Sequence, residues 1–200
     1  MNPVIEQSLA KSISYKEYKT IVEDLVAKSS TSGNEKTEEL AYFTKLNDRR
    51  MKRWDKTIKL SEEDKNTIAQ FENKMTWLVI TESWCGDAAH VIPAINKVAE
   101  QNENIELRLV FRDENDLLME QYLTNGSRSI PKLIMIDETT EEVVKTYGPR
   151  PSKATKMVLD FKNEFGKLTP EFKEELQYWY NKDKGQTIVK DLMQLILIEA

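Results

Sequence analysis

The chain has 200 residues, of which 40% are hydrophobic and 32% are charged, and its formal net charge is -5. A chain of this length can bury one substantial core but leaves little room for two full-sized domains, so we expect one compact domain with helical additions. Nucleic acid and anionic membranes attract basic proteins, so neither is expected as a partner of this acidic chain.

The N-terminal segment and the cysteine content point to the cytoplasm. Residues 1–7 lack the basic start and the apolar stretch of a secretory signal. No apolar run approaches the roughly 20 residues needed to span a bilayer, the longest being of the kind seen at residues 195–198. The single cysteine, Cys85, cannot form an intramolecular disulfide, and a reducing compartment would keep it as a thiol. We therefore expect a cytoplasmic protein.

Three helices are predicted before residue 75. Apolar residues at helical spacing indicate a helix over residues 14–28, where Ser14 and Glu17 have the spacing of a capping box. The polar, turn-rich residues 29–34 follow as a loop. A second amphipathic helix then has Leu40, Phe43, Leu46 and Trp54 on its apolar face. Its other face is basic, with Arg49, Arg50, Lys52 and Arg53; we expect this face to be solvated, the alternative being that it binds an anionic partner. A third helix begins at Ser61, with Ile68 and Phe71 facing inward.

The middle of the chain has the pattern of a β-α-β unit. The apolar run at residues 77–81 is typical of a strand buried on both faces, and the apolar residues between 88 and 99 have helical spacing. A second strand follows at residues 105–111. In a single sheet, such a unit gives parallel strands joined by a right-handed crossover.

The remainder predicts a β-β-α unit and two further helices. A short helix starting near Asp113 is expected to end at a left-handed cap formed by residues 125–126. Strands at residues 132–136 and 143–147 form a hairpin, and Ser152 caps the helix that runs to Gly166, with Phe161 and Phe165 in the core. Thr169 caps the next helix, and the last helix covers residues 187–198. No internal repeat or low-complexity tract is present.

The chemistry centres on Cys85, which lies between a predicted strand and a predicted helix. Free amides and the helix dipole at that position stabilise a thiolate, by an amount corresponding to about one pKa unit. The carboxylate of Asp87, two residues later, opposes this ionisation. The sequence leaves the balance open, and it also leaves open that Cys85 is simply a small buried apolar residue.

Residues 84–88, Trp-Cys-Gly-Asp-Ala, resemble the Trp-Cys-Gly-Pro-Cys motif of the thioredoxin family. Pro93 matches the kinking proline of the helix after that motif, Ile130-Pro131 matches the cis-proline segment, and Gly148 matches a family glycine. The resemblance covers roughly residues 61–166. It implies an α/β fold of the thioredoxin-like kind, in which a central mixed β-sheet is flanked by helices. The domains expected are an N-terminal helical extension (1–60), the thioredoxin-like domain (61–166) and a C-terminal helical extension packed on it (167–200).

Within that family, the chain is most similar to bacterial thioredoxin-like proteins with Trp-Cys-Gly-Asp at this site and a helical N-terminal extension. The resemblance implies that Cys85 is the catalytic residue and that the substrate groove contains Trp84, Gly86, Asp87, Ile130 and Pro131. A cis peptide before Pro131 is expected to face the sulfur.

Two departures from the family limit the chemistry. Ala88 stands where the second cysteine would resolve a mixed disulfide, and Val79 stands where many thioredoxins bury an aspartate that assists proton transfer. Glu82 or Asp87 could accept a proton and His90 could transfer one, although an exposed, ordinarily solvated carboxylate and a surface or groove-edge histidine are the expected alternatives. One cysteine and one histidine cannot build a soft-ligand zinc site, and no metal or other cofactor is expected.

Three functions remain open from the sequence. The first is monothiol exchange, in which Cys85 attacks a protein disulfide or a low-molecular-weight disulfide and an external thiol releases the product. The second is a non-catalytic adaptor that binds a peptide beside Trp84 and Pro131, with the helical extensions selecting the protein partner. The third is a peroxide sensor that passes through a sulfenic acid at Cys85.

Overall fold

The computed structural model describes residues 1–197, and the last position of the final predicted helix, residue 198, lies outside them. The described chain forms a four-stranded sheet and its surrounding helices, which are, in chain order, α1 (Pro3–Leu9), α2 (Tyr15–Ala27), α3 (Glu38–Thr57), α4 (Glu62–Ala69), β1 (Met75–Thr81), α5 (Gly86–Ala99), β2 (Ile105–Phe111), α6 (Asp116–Gln121), β3 (Lys132–Asp137), β4 (Val143–Tyr147), α7 (Ser152–Phe165), α8 (Pro170–Asp183) and α9 (Gln186–Leu197).

Side-chain caps set the beginnings of several helices. The predicted capping box at Ser14 is present before α2, and a second one joins Ser61 to Asp64 before α4. Thr169 caps α8, as predicted. Helix α1 was not predicted, although Asn2 followed by Pro3 is the pattern of a cap before a first-turn proline. The Asn2 side chain accepts a hydrogen bond from the Val4 amide at 2.9 Å.

The sheet has the mixed topology that the sequence predicted, in the order β2-β1-β3-β4. Strand β1 pairs parallel with β2 and antiparallel with β3, and β3 and β4 form an antiparallel hairpin. All seven residues of β1 are buried, as expected for a central strand. The outer edge of β2 receives an isolated bridge from Ile13 to Leu109, which the sequence did not reveal. The α/β thioredoxin-like fold with additional helices at both ends is confirmed.

The extra helices pack onto the same core as the sheet. Helix α3 contacts α5, α9 contacts α5, and both α1 and α2 contact β2. The principal hydrophobic cluster therefore takes in residues of α1 to α6, of the sheet and of α9. A smaller cluster lies between α7 and α8 and is built on Phe172, Leu176 and Tyr180. The consequence is that α3 and α8 are both held close to the start of α5, where Cys85 lies.

Three local predictions were wrong. Helix α6 ends at Gln121, and residues 125–126 instead form the tip of a tight turn that pairs Thr124 with Ser127, because both have the positive φ that such a turn requires. Pro151 rather than Ser152 precedes α7, and the Ser152 amide and hydroxyl both donate to Asp191 at 2.7 Å. Phe165 is 57% exposed because it lies at the last position of α7, beyond the reach of α8.

Within residues 1–197, no helix is both long enough and apolar enough to cross a membrane. The same residues contain no group of three or more His, Cys, Asp or Glu side chains arranged to hold a metal ion.

Candidate functional site

Cys85 lies in the turn between β1 and α5 and is the residue that precedes the first turn of α5. Its amide donates to the Glu82 carbonyl at 3.2 Å, and its carbonyl accepts from the Ala89 amide at 3.2 Å, so the backbone on both sides is fixed. The residue is 8% exposed. The predicted location between strand and helix is thus correct, and the sulfur is held largely out of solvent.

The sulfur faces the segment before β3. The Cys85 thiol donates to the Ile130 carbonyl oxygen at 3.3 Å, and the Ile130–Pro131 peptide bond is cis. Gly148, at φ +103°, lies against this segment, and a Cβ there would overlap the Pro131 carbonyl oxygen. A glycine at this position therefore allows the backbone at residue 148 to pack closely against the backbone at Pro131. Ile130 and Pro131 are themselves buried, so they form the floor behind the sulfur and leave little surface for a ligand.

Burial decides the ionisation balance that the sequence left open. The pKa of the Cys85 thiol is raised to about 12, first because burial disfavours the thiolate and second because the Asp87 carboxylate lies nearby. The amides of Ala88 and Asp87 and the charge of Arg150 oppose this rise, but they do not cancel it. The resting sulfur is consequently a protonated thiol at neutral pH.

Asp87 lies at the centre of a buried charged cluster with Arg150 and Tyr180. Arg150 Nη2 lies 2.7 Å from Asp87 Oδ2, and the Tyr180 hydroxyl donates to Asp87 Oδ1 at 2.9 Å. Burial raises the pKa of the Asp87 carboxyl, and Arg150 opposes that rise. Arg150 comes from the loop before α7 and Tyr180 from α8, so sequence distance concealed both residues. The expectation of an exposed, ordinarily solvated carboxylate at Asp87 is wrong.

A cavity of about 370 Å³ opens beside Cys85. Its walls come from the Cys85 turn, from α3 of the N-terminal region and from the segment around α8. The apolar part of the lining consists of Leu40, Phe43, Trp84, Leu168 and Leu176, and the charged part consists of Arg50, Asp87, Arg150 and Lys173. Three of the predicted groove residues, Trp84, Gly86 and Asp87, are therefore brought together around Cys85, whereas Ile130 and Pro131 are not part of this lining.

Arg50 is a site residue that the sequence did not separate from its neighbours. It belongs to the basic run expected to form a solvated face of α3, yet it is half-buried and turns toward the Cys85 cavity. Its Nη1 atom donates to Asn47 Oδ1 at 3.0 Å, and a Cβ on Gly86 would lie 3.6 Å from the same Nη1 atom. Helical spacing places Arg50 one turn from Trp54, on the side of α3 that faces α5; only the tertiary contact identifies the cavity it reaches.

Trp84 lies on the cavity wall next to the sulfur, as predicted. The guanidinium carbon of Arg112 lies 5.0 Å from the centre of its ring, in a cation-π geometry. The other edge of the indole approaches the loop before α3, where a Cβ on Gly33 would lie 3.2 Å from Trp84 Nε1. The orientation of this aromatic wall thus depends on both the segment that follows β2 and the N-terminal region.

Glu82 is buried and faces away from the cavity. Its carboxylate accepts hydrogen bonds from the Ser32 hydroxyl and, at 3.0 Å, from the Asp113 amide. Ser32 and Ser83 also exchange a reciprocal pair of bonds between amide and hydroxyl, at 2.7 and 2.9 Å. Burial raises the pKa of the Glu82 carboxyl, but Glu82 is not among the groups that act on the pKa of Cys85. The expectation of an exposed carboxylate at Glu82 is wrong, and its contacts connect the N-terminal loop to the sheet.

His90 is also buried, which corrects the expectation of a surface or groove-edge histidine. The Trp54 indole donates to His90 Nδ1 at 2.8 Å, so the neutral ring carries its hydrogen on Nε2 and donates it to Gln177 Oε1 at 2.8 Å. The imidazole stacks on Tyr180 with ring centres 4.1 Å apart. Burial lowers the pKa of His90 to about 3. Both nitrogens are occupied by contacts that join α3, α5 and α8.

Comparisons with known proteins match the chain to a family and to solved structures. Residues 33–166 match the sequence model of a family described as thioredoxin, and the match begins before α3. A protein of unknown function from Pseudomonas aeruginosa superposes with a TM-score of 0.61 at 20% identity, covering 80% of this chain and 92% of its own. An HIV epitope-scaffold protein superposes with a TM-score of 0.58 at 19% identity, covering 94% and 100%. No curated protein matches this sequence. At these identities the structural likeness shows the fold alone.

Proposed function

The chain belongs to the thioredoxin family, and from that premise we propose that it performs single-thiol exchange at Cys85 on a protein disulfide or a low-molecular-weight disulfide. The observation that carries the proposal is the position of the sulfur. It lies before α5 on the wall of a cavity, with the amides of Asp87 and Ala88 directed at it and the Ile130 carbonyl beside it. In this arrangement, a disulfide that enters the cavity can contact the Cys85 sulfur.

The exchange requires two steps because only one thiol is present. The Cys85 thiolate attacks one sulfur of a disulfide, so that a Cys85–sulfur bond forms, the substrate's sulfur–sulfur bond breaks, and the leaving thiolate takes up the proton that Cys85 lost. An external thiol then attacks the substrate sulfur of the mixed disulfide. It forms a new disulfide with this half of the substrate, and Cys85 leaves as a thiol. Ala88 cannot replace the external thiol, which a reducing compartment such as the cytoplasm would supply.

Because the resting thiol is protonated, the proposed exchange should depend steeply on pH. Only the thiolate attacks, and with a pKa of about 12 its population rises tenfold for each pH unit across the neutral and mildly alkaline range. A charge that is added to the cavity or removed from it should therefore change the thiolate population of Cys85 and with it the rate of exchange. Asp87 and Arg150 are the groups whose charges act most directly, since both influence the pKa of Cys85 in opposite directions.

The test is to incubate the reduced protein with 2-hydroxyethyl disulfide and follow the mixed disulfide by intact-protein mass spectrometry between pH 7 and pH 10. We expect one adduct, absent from the Cys85→Ser variant, whose rate of formation rises about tenfold per pH unit, and which a small thiol removes. An adduct-free protein across this range, with Cys85 confirmed as reduced, would contradict the proposal.

A non-catalytic adaptor is the second candidate, and the protonated thiol favours it. A thiol that donates to Ile130 and is largely shielded from solvent can serve as part of an apolar wall. Because Pro131 is buried, a bound peptide would contact Trp84 and the helices α3 and α8 rather than the groove beside Pro131. Recovery of one protein partner, under reducing conditions, by both wild type and Cys85→Ser would support this candidate over exchange.

A further inference from the structure

The cavity beside Cys85 is distinguished by its charge. Its lining brings together Arg50, Arg150 and Lys173 and only one carboxylate, Asp87, although the whole chain has a net charge of -5. Arg150 and Asp87 form an ion pair at 2.7 Å and largely neutralise each other. Arg50 and Lys173 have no carboxylate within 4.0 Å among the ion pairs formed by residues 1–197. The cavity therefore keeps an excess of positive charge.

Arg50 contributes the part of this charge that is least exposed to water. Its guanidinium is half-buried and is held by Asn47 Oδ1 at 3.0 Å, and the Asn47 amide group in turn donates to the Ser83 carbonyl at 2.9 Å. Burial and the neighbouring charge of Arg53 lower the pKa of Arg50. The Asp87 carboxylate opposes this lowering, although it lies beyond ion-pair distance of Arg50. A cation that is partly desolvated and has no carboxylate within ion-pair distance gains free energy when an anion enters its site.

The remaining lining and the volume limit the type of ligand. Leu40, Phe43, Trp84, Leu168 and Leu176 provide an apolar wall next to the cations. The volume of about 370 Å³ is at the lower end of the range for sites that enclose small molecules. Helices α3 and α8 both contribute to the lining, and this small volume favours a compact ligand over an extended polypeptide.

We propose that this cavity binds small disulfides that carry carboxylate groups, with Arg50 as the residue that selects for the negative charge. The inference rests on the proposed exchange at Cys85 and adds its substrate class. A carboxylate near Arg50 and Lys173 lets the apolar part of the ligand contact Trp84 and Leu176 and brings the disulfide to the Cys85 sulfur. A cationic disulfide meets the same side chains with repulsion.

The experiment compares three small disulfides at one pH and one ionic strength. These are 3,3′-dithiodipropionate, which is anionic, 2-hydroxyethyl disulfide, which is neutral, and cystamine, which is cationic. Each rate of adduct formation at Cys85 is divided by the rate of the same reagent with 2-mercaptoethanol, which removes the intrinsic reactivity of the disulfide. We expect the normalised rate to fall from the anionic to the cationic reagent by about tenfold or more.

Two variants assign the selectivity to Arg50. In Arg50→Gln, the ratio of the anionic rate to the neutral rate should fall roughly fivefold, and any change in the reactivity of the Cys85 thiol cancels in that ratio. Arg49→Gln is the matched control, since Arg49 is exposed on the same helix and is not part of the lining. Equal normalised rates for all three reagents, or an unchanged advantage in Arg50→Gln, would overturn the inference and leave exchange at Cys85 standing.

A binding measurement separates this inference from the proposed function. Cys85→Ser, which cannot react, is titrated with dithiodipropionate and with cystamine, and binding is followed by calorimetry. Saturable binding of the anion alone, weakened when Arg50→Gln is added, would support the cavity assignment even where wild type forms no adduct. Absence of binding by both reagents, together with no charge preference in the wild-type rates, would overturn it.

Discussion

Glu82 and Asp87 lie on either side of Cys85, and they differ in their partners. Glu82 is fully buried, and the Asp87 side chain is 12% exposed. Glu82 and Asp87 both have a raised pKa because their surroundings disfavour the charged form. Asp87 is paired with Arg150 and Tyr180 and acts on the Cys85 sulfur. Glu82 accepts from Ser32 and from the Asp113 amide and has no such action. A raised carboxyl pKa therefore shows only that the group is shielded from water. The residues that contact the carboxyl show whether it acts on the thiol or holds the structure together.

The two clusters also connect different parts of the chain. The Glu82 cluster joins the loop before α3 to the end of β1, whereas the Asp87 cluster joins the start of α5 to α8 and to the loop before α7. Changes in the first cluster should alter the free energy of unfolding and leave the thiol unchanged. Changes in the second should alter the thiol.

The largest effect is expected for Glu82→Ala. The substitution removes the acceptor of the Ser32 hydroxyl, which is buried, and of the Asp113 amide, which is part-buried, so the free energy of unfolding should fall by about 3 kcal/mol. Chemical denaturation measures this change. Glu103→Ala, at an exposed position, is the control and should change stability by less than about 0.5 kcal/mol. A loss as small as that of the control would contradict a structural role for Glu82.

The next effect concerns pH and His90. The unfolded chain binds a proton on His90 below about pH 6.5, but the folded chain does so only near pH 3. The unfolded state is therefore favoured as pH falls through this window, and at pH 5 the loss from this residue is about 2 kcal/mol relative to pH 7.

Comparing wild type with His90→Phe tests this pH dependence. The variant loses the bond from Trp54 and is less stable at every pH, but its free energy of unfolding should fall less steeply between pH 6.5 and pH 5. Denaturant unfolding at several pH values measures both slopes. Identical slopes in the two proteins would show that His90 does not stay neutral in the folded state.

Asp87→Asn should produce the clearest change in the thiol. It removes the negative charge that raises the pKa of Cys85 and leaves Arg150 unpaired beside the sulfur, so the pKa should fall and alkylation by iodoacetamide at pH 8 should become about tenfold faster. Glu82→Gln neutralises the other carboxylate and is the matched control, for which the alkylation rate should not change. If both variants accelerate alkylation equally, the distinction between the two clusters fails.

Arg150→Gln should produce the smallest effect, in the opposite direction. The positive charge of Arg150 lowers the pKa of Cys85 and also that of Asp87, so its loss makes the thiolate rarer. Alkylation at pH 8 should slow by about threefold. An acceleration instead would mean that Arg150 acts on the sulfur chiefly by holding Asp87 in place.

The elements of the fold were largely predictable because their signals are local. The run at β1, the caps at Ser14, Ser61 and Thr169, and the β-α-β and β-β-α patterns all depend on neighbouring residues. One error occurred where two local signals compete. The pair Asn125-Gly126 suits both a helix end and a tight turn, and it adopts the turn because α6 ends earlier, at Gln121.

Only two segments of the candidate site could be placed from the sequence. Residues 84–87 and the cis Ile130–Pro131 bond follow from the resemblance, whereas Arg50, Arg150 and Tyr180 reach the same place from three distant segments. No spacing rule connects them to Cys85. His90 was misplaced for the same reason, since the residues that bury it, Trp54 and Tyr180, lie on α3 and α8.

The sequence by itself determined that this protein has a thioredoxin-like sheet with one cysteine at the start of a helix, because strand and helix patterns and a short motif act over a few residues. Only the tertiary structure decided the state of that cysteine. Its pKa depends on desolvation and on the charges of Asp87 and Arg150, and these depend on how α3, α5 and α8 pack together. Electrostatic free energies are set by distances in space and by exclusion of water, which the order of residues does not specify.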